Sequence, residues 1–111
     1  MPKGQYLAEF EIYVMAAMAL LGPEAYGMSI CRAIEERSRR TVSIGAIYAT
    51  LARLERKGFV ATRVSAPLPV PGGRARRHAR LTPAGERALR HTTTMLGQMI
   101  PALAEGRGRQ R

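Results

Sequence analysis

The sequence predicts a mainly α-helical chain with a small β-hairpin, arranged as a winged helix-turn-helix followed by one C-terminal helix. Three observations predict this fold class. Apolar residues recur at spacings of three and four over three consecutive segments, which indicates three amphipathic helices. Two alternating stretches then flank a segment rich in proline and glycine, as in a hairpin. Last comes a Thr-Pro helix start followed by apolar residues seven apart.

The length and the charge limit the kinds of protein that this chain can be. A chain of 111 residues has the length of a single domain. We expect a winged helix-turn-helix domain over residues 1–82, a helix over 83–105 and a basic tail over 106–111. The formal net charge of +10 favours a polyanionic partner, either nucleic acid or an anionic membrane. The single cysteine, Cys31, excludes an internal disulfide and suits a reducing cytoplasm; its apolar-periodic segment favours a core residue over a redox sensor.

Two helices are predicted before the central segment. The first is described by apolar residues at helical spacing, namely Leu7, Phe10, Val14, Met18 and Leu21. Its longest apolar run is far shorter than the roughly 18 residues of a membrane span. Gly22 ends this helix, and the second begins near Tyr26 or Gly27 and directs Ile30 and Ile34 to the core.

The central segment, SIGAIYATLARLERKGF, predicts a third helix that Ser43 caps and Gly58 ends. Its core-facing stripe is Ile44, Ile47, Leu51 and Leu54. The opposite face is small at the front and cationic toward the back: Gly45, Ala46, Ala49, Ala52, Arg53 and Arg56. Because small side chains allow close approach and a helix N-terminus attracts phosphate oxygens, this face predicts insertion into a DNA major groove. A merely solvated amphipathic helix is the alternative.

A β-hairpin is predicted after the third helix. Residues Phe59 to Val64 alternate as a strand does, Arg76 to Leu81 form its partner, and APLPVPGGRA forms the tip. The second arm of the hairpin carries four arginines: Arg74, Arg76, Arg77 and Arg80. No acidic residue occurs between Lys57 and Gly85, so we expect these arginines to clamp phosphates. The alternative is a solvated edge strand that its charges protect from aggregation.

The last helix is predicted to start at Thr82 as its cap, with Pro83 in the first turn. Its apolar seam comprises Leu89, Leu96, Met99, Ile100 and Leu103. A seam of this period suits packing on another helix, so we expect a homodimer; packing on its own domain is the alternative. Pro101 should kink or end the helix, and the tail GRGRQR is expected to be disordered.

The run GAIYATLARLERKGFV, followed by a basic loop and ARLTPAGERAL, resembles the PadR family of bacterial transcriptional regulators, with a similarity that extends from about Leu7 to Leu103. The resemblance implies that the first run is the recognition helix and that the second opens the dimerisation helix. The resemblance also implies that five residues lie at or beside the DNA: Ser43, Gly45, Tyr48, Thr50 and Arg53. It implies structural roles for Leu51, Leu54 and Gly58. This chain departs from the family at His78 and Ala79, where such proteins often have two tyrosines.

These features together predict a DNA-binding transcriptional regulator that acts as a homodimer on double-stranded DNA with a near-palindromic operator. Repression is what the resemblance implies. The alternative function is a winged-helix module that docks an acidic protein; membrane attachment is disfavoured because the basic hairpin lacks aromatic anchors. The histidines and Cys31 match no catalytic or metal-binding spacing, so we expect no enzyme, cofactor or metal.

A small-molecule effector is left open. The resemblance implies that some relatives respond to aromatic or drug-like ligands at the dimer interface. This chain has no tryptophan and no aromatic residue in its last helix. We therefore expect a weak or absent pocket, with Tyr6, Phe10 and Tyr13 as the candidate lining residues.

Overall fold

The computed structural model describes residues 6–66 and 76–109, with side chains described as far as residue 101. In chain order the elements are α1 (Glu9–Leu21), α2 (Gly27–Ser38), α3 (Ile44–Arg56), β1 (Val60–Val64), β2 (Arg77–Leu81) and α4 (Pro83–Arg109). The strands β1 and β2 pair antiparallel as a hairpin. This order confirms the predicted fold class, a mainly helical winged helix-turn-helix with a long last helix.

The helix ends follow the predicted capping residues. Ser43 Oγ accepts a hydrogen bond from the Ala46 amide at 3.0 Å, which satisfies one of the free N–H groups at the start of α3. Gly58 closes the same helix with a φ of 81°, a conformation that favours glycine. Thr82 Oγ1 accepts from the Gly85 amide at 3.0 Å and so caps α4. All three capping predictions are confirmed.

The core lies between α1, α2, α3 and the base of the hairpin. Its larger apolar members are Val14, Met15, Met18, Ile30, Ile34, Ile47, Leu51, Leu54, Phe59 and Val60. Cys31 is buried there as predicted, and its thiol donates to the Val42 carbonyl at 3.3 Å. Burial raises the pKa of this thiol, so it remains protonated at neutral pH.

One predicted core position of α3 is wrong. Ile44 is 37% exposed, whereas Thr50 is only 1% exposed. The buried stripe of α3 is therefore Ile47, Thr50, Leu51 and Leu54. Ile44 lies on the same side of α3 as the buried Leu51, but it belongs to the first turn, where that side is exposed, whereas Thr50 lies within the buried stretch of the helix.

The hairpin is joined to the loop between α1 and α2. The Ala79 amide donates to the Ala25 carbonyl at 2.9 Å, and Tyr26 forms an isolated bridge with His78. His78 Nδ1 also lies 3.0 Å from the Glu24 carbonyl oxygen. His78 and Ala79 are thus buried, and they hold β2 against the helical domain.

The last helix has two parts with different surroundings. Ala84, Ala88 and Leu89 pack against the core, which fits the alternative that this part of the helix packs on its own domain. From residue 93 to 101 the side chains are exposed. The helix passes through Pro101 and ends at Arg109, beyond the boundary predicted at residue 105, because proline disrupts only the turn that precedes it. The side chain of Leu103 lies outside the described part of the chain. No described helix is long and apolar enough to cross a membrane.

Candidate nucleic-acid interface

The outer face of α3 carries a row of small residues. Gly45, Ala49, Ala52 and Arg56 follow one another at spacings of four, three and four, and all are exposed. We call these four residues the small-residue stripe. A Cβ added at Gly45 would meet no atom within 4 Å, and the neighbouring Ala46 is exposed as well. Over its first three turns α3 therefore presents backbone and methyl groups to its surroundings, as predicted, and ends in an arginine.

Tyr48 borders the stripe on the side of α2. Its ring lies against Gly27, where an added Cβ would approach the ring to 2.7 Å. The remaining part of the side chain is open, and the residue is 46% exposed. Tyr48 therefore fixes the crossing of α2 and α3 and still offers one edge of its ring beside the stripe.

Thr50 does not lie on the exposed face. It is buried, and its hydroxyl accepts a hydrogen bond from Arg53 Nη2 at 3.2 Å. The prediction that Thr50 lies at the DNA surface is therefore wrong for direct contact, because the side of α3 that carries it faces the core. Arg53 is placed as predicted on the outer side, with 48% of its side chain exposed.

A buried carboxylate of α1 lies behind this side of α3. Glu11 accepts from the Ala8 amide at 2.8 Å and from Lys57 Nζ at 2.9 and 3.0 Å, and Arg53 Nε lies 3.6 Å from its Oε2. Burial alone raises the pKa of Glu11, but the Ala8 amide, Lys57 and Arg53 together lower the pKa below its ordinary value. Glu11 is therefore ionised, and Lys57, which also donates to the Tyr6 carbonyl, is committed to the protein interior.

The hairpin arginines do not form one cluster. Successive strand residues point to opposite faces, so Arg77 and Arg80 lie on different sides of the hairpin. Arg77 Nη1 donates to Thr62 Oγ1 at 3.4 Å, whereas Arg80 borders a depression at the end of α1. Arg76 stacks over the Tyr26 ring at 4.4 Å from its centroid. All three are exposed; Arg74 lies outside the described residues.

Two features of α1 and the hairpin were not anticipated from the sequence. Glu11 occupies an apolar position of the α1 periodicity, which also marks it as unusual. The pair of Arg63 Nη2 and Glu24 Oε1, at 2.7 Å, joins partners far apart in sequence, so no local pattern could have found it.

A second feature borders the start of α3. Phe10 and Tyr13 line an open cavity of about 310 Å³ between α1, the end of α2 and the cap at Ser43. Tyr6, the third residue predicted to line a ligand pocket, is 62% exposed and lies outside this cavity. Among the described side chains, no three histidine, cysteine, aspartate or glutamate residues gather in a way that would hold a metal ion.

Residues 18–91 match a family model described as the transcriptional regulator PadR-like family. Solved structures share the fold. A PadR family transcription regulator from a hypervirulent Clostridium difficile strain is 21% identical, with a TM-score of 0.76, over 88% of this chain and 97% of that chain. A PadR-like transcriptional regulator from Bacillus cereus is 19% identical, with a TM-score of 0.72, over 86% and 88% of the two chains.

A structure solved with its nucleic acid is also similar. Bacillus subtilis PadR, in complex with operator DNA, is 17% identical to this chain, with a TM-score of 0.65. The match covers 78% of this chain and 48% of that one. No curated protein matches the sequence significantly.

Proposed function

Because the chain belongs to the PadR-like family of transcriptional regulators, we propose that it is a cytoplasmic repressor that binds a near-palindromic operator as a homodimer. Members of this family are regulators of transcription and not enzymes. The observation that carries the proposal is the small-residue stripe on α3, because it lets the helix backbone approach the edges of base pairs.

In the proposed complex the first turns of α3 enter the major groove. The free N–H groups beyond the Ser43 cap favour a phosphate, and Gly45 and Ala46 allow the helix to come close to it. Ala49 offers a methyl group to thymine, and Arg53 supplies hydrogen bonds to a base edge. Tyr48 contacts the DNA with the edge of its ring that α2 leaves open.

The hairpin is proposed to contact phosphates beside the groove through part of its arginine set. Arg77 shares a hairpin face with Thr62, whose hydroxyl donates to Glu55 of α3 at 2.9 Å. This chain of contacts connects Arg77 to α3 and supports its assignment beside the proposed reading helix. Arg76 stacks on Tyr26, on the side of the hairpin that His78 and Arg80 occupy, so we do not group it with Arg77 and assign it no phosphate. Arg80 points to the other face, so we assign it no phosphate; Arg74 stays a prediction from the sequence.

We propose that one part of the chain binds DNA and that another part forms the dimer. Residues 1–82 would read DNA, the helix over 83–105 would pair with that of a second copy, and the basic end at 106–111 would add attraction to DNA. Four large apolar side chains of α4 support the pairing because they are exposed to between 45% and 64%: Met95, Leu96, Met99 and Ile100. Two reading helices related by a two-fold axis would then contact half-sites about 34–36 Å apart.

The proposal is tested by placing a charge on the stripe. Ala49→Glu leaves the core intact, because Ala49 is exposed within a helix, but sets a carboxylate against the DNA. We expect at least a hundredfold weaker binding to a duplex enriched by the wild-type protein from a random-sequence library, measured by fluorescence anisotropy, with an unchanged melting temperature. Thr94→Glu, which adds the same charge at an exposed position of α4, is the matched control. Equal affinities for the two variants would refute the assignment of α3 as the reading element.

A further inference from the structure

We propose that Glu11 is a positioning residue for DNA recognition, and that it acts by holding the Arg53 guanidinium at the edge of the small-residue stripe. The inference rests on the proposed function and deepens it, because it names the residue of α1 that determines how α3 reads a base. Glu11 itself is 1% exposed, so it acts only through the side chains that it contacts.

The geometry anchors one side of the guanidinium. Arg53 Nε lies 3.6 Å from Glu11 Oε2, and Arg53 Nη2 donates to Thr50 Oγ1 at 3.2 Å. Both acceptors belong to buried residues, so neither moves freely. The Nη1 group and the second N–H of Nη2 are left for another partner. These two groups form the end of the planar fork that pairs with the O6 and N7 acceptors of guanine.

Lys57 makes this arrangement compatible with DNA binding. Its ammonium group donates to both oxygens of Glu11, at 2.9 and 3.0 Å, and therefore supplies the close partner that a buried carboxylate requires. Arg53 makes the longer contact and keeps about half of its side chain exposed. Glu11 thus orients Arg53 through the electrostatic attraction between its carboxylate and Nε, while Lys57 neutralises most of the carboxylate charge. The arginine remains available to a base.

An arginine held in this way loses less conformational freedom when it binds a base. Glu11→Gln keeps the shape of the side chain and an acceptor oxygen but removes the charge that attracts Nε. We expect the preference of Glu11→Gln for the enriched duplex over a base-shuffled duplex of equal length to fall about 3- to 10-fold. Binding to the shuffled duplex should stay the same or strengthen, since a negative charge is lost.

The first measurement needs no DNA. The ¹⁵N relaxation of the Arg53 Nε–H group reports its order, and we expect this order to fall in Glu11→Gln toward that of the exposed Arg56. Thr50→Val removes the second anchor and should have the same effect, whereas Thr50→Ser, which keeps the hydroxyl, should not. Because Thr50→Val leaves the pair of Glu11 and Lys57 intact, it tests the arrangement even if Glu11→Gln is unstable. An Arg53 order that is unchanged in Glu11→Gln would overturn the proposal, and so would an unchanged order in Thr50→Val if Glu11→Gln does not fold.

The second measurement separates this inference from the proposed function. If Glu11 acts through Arg53, Glu11→Gln should cause no further loss of sequence preference in an Arg53→Ala background. Additive losses in the double variant would overturn the positioning role. A wild-type protein that binds enriched and shuffled duplexes alike would refute the proposed function. A selective wild-type protein whose preference survives in Glu11→Gln would refute the inference about Glu11 alone.

Discussion

The carbonyl oxygen of Phe59 lies against the Cα of Gly85, so close that a Cβ at position 85 would overlap it. The same joint is held by the Thr82 amide, which donates to the Phe59 carbonyl at 3.0 Å, and by Thr82 Oγ1, which donates to the Gly58 carbonyl at 2.6 Å. The contact sets the direction in which α4 leaves the rest of the fold. It also explains why the third residue after the Thr82 cap is a glycine and not the glutamate of a capping box.

A methyl group at this joint should destabilise the protein. We expect Gly85→Ala to lower the free energy of unfolding by about 1–3 kcal/mol, because the backbone of Phe59 cannot move aside as a flexible side chain would. Gly97→Ala on the same helix is the matched control, since a Cβ there meets nothing within 4 Å. Alanine favours helix by about 1 kcal/mol over glycine, so the control should be stabilised. Urea unfolding monitored by circular dichroism measures the free energy of unfolding of both variants. A Gly85→Ala variant as stable as Gly97→Ala would show that the contact between Phe59 and Gly85 is not tight.

The neighbouring cations Arg56 and Lys57 should behave differently toward DNA. Arg56 lies on the small-residue stripe, so Arg56→Ala should weaken binding and reduce the slope of log affinity against log salt by about one unit. Lys57 is committed to Glu11, so Lys57→Met should leave the salt slope unchanged. Lys57→Met should instead destabilise the fold by about 1–3 kcal/mol, because it removes the close partner of a buried carboxylate. DNA-binding titrations at several salt concentrations measure the two slopes. Equal changes of slope in Arg56→Ala and Lys57→Met would contradict the different roles assigned to Arg56 and Lys57.

The ionised Glu11 predicts a dependence of stability on pH. Its pKa in the folded protein is below the ordinary value near 4.5, so the folded state favours the charged form and gains stability from it above that pH. This stability should be lost as the pH falls from about 4.5 through the lowered pKa. We expect wild type to melt at a higher temperature than Glu11→Gln at pH 7, and the difference to shrink below pH 4.5. A difference that stays constant from pH 7 to pH 3 would show that the charge of Glu11 does not stabilise the fold.

Much of the fold could be predicted because its signals are local. The caps at Ser43 and Thr82 and the positive φ of Gly58 depend on residues only a few positions apart. The hairpin could be predicted in the same way, because alternation and a Pro-Gly-rich tip mark its strands. The small side chains of α3 were placed outward correctly because all of them lie on one side of a single helix.

The errors share a different physical origin. Thr50, which the resemblance places at or beside the DNA, is buried, and Ile44, which its helical spacing predicts in the core, is exposed, because neither signal shows how far the core covers α3. The carboxylate of Glu11 on α1 lies 46 positions from its partner Lys57, which directly follows α3, so no local pattern links the two. The cluster of arginines in the sequence predicts a single clamp, whereas the paired strands send alternate side chains to opposite faces. Contacts between distant segments and strand register therefore account for what sequence patterns missed.

The exposed apolar side of α4 predicts self-association that a single charge should abolish. Met99 is 64% exposed and lies between Leu96 and Ile100 on the part of the helix that leaves the domain. We expect Met99→Asp to shift the protein from dimer to monomer in sedimentation velocity at micromolar concentration, because a carboxylate would be buried without a partner. Thr94→Asp, on the opposite side of α4, should leave the dimer intact. The monomer should also bind the enriched duplex at least tenfold more weakly, since it contacts one half-site at a time. A Met99→Asp protein that remains dimeric would place the interface on another surface.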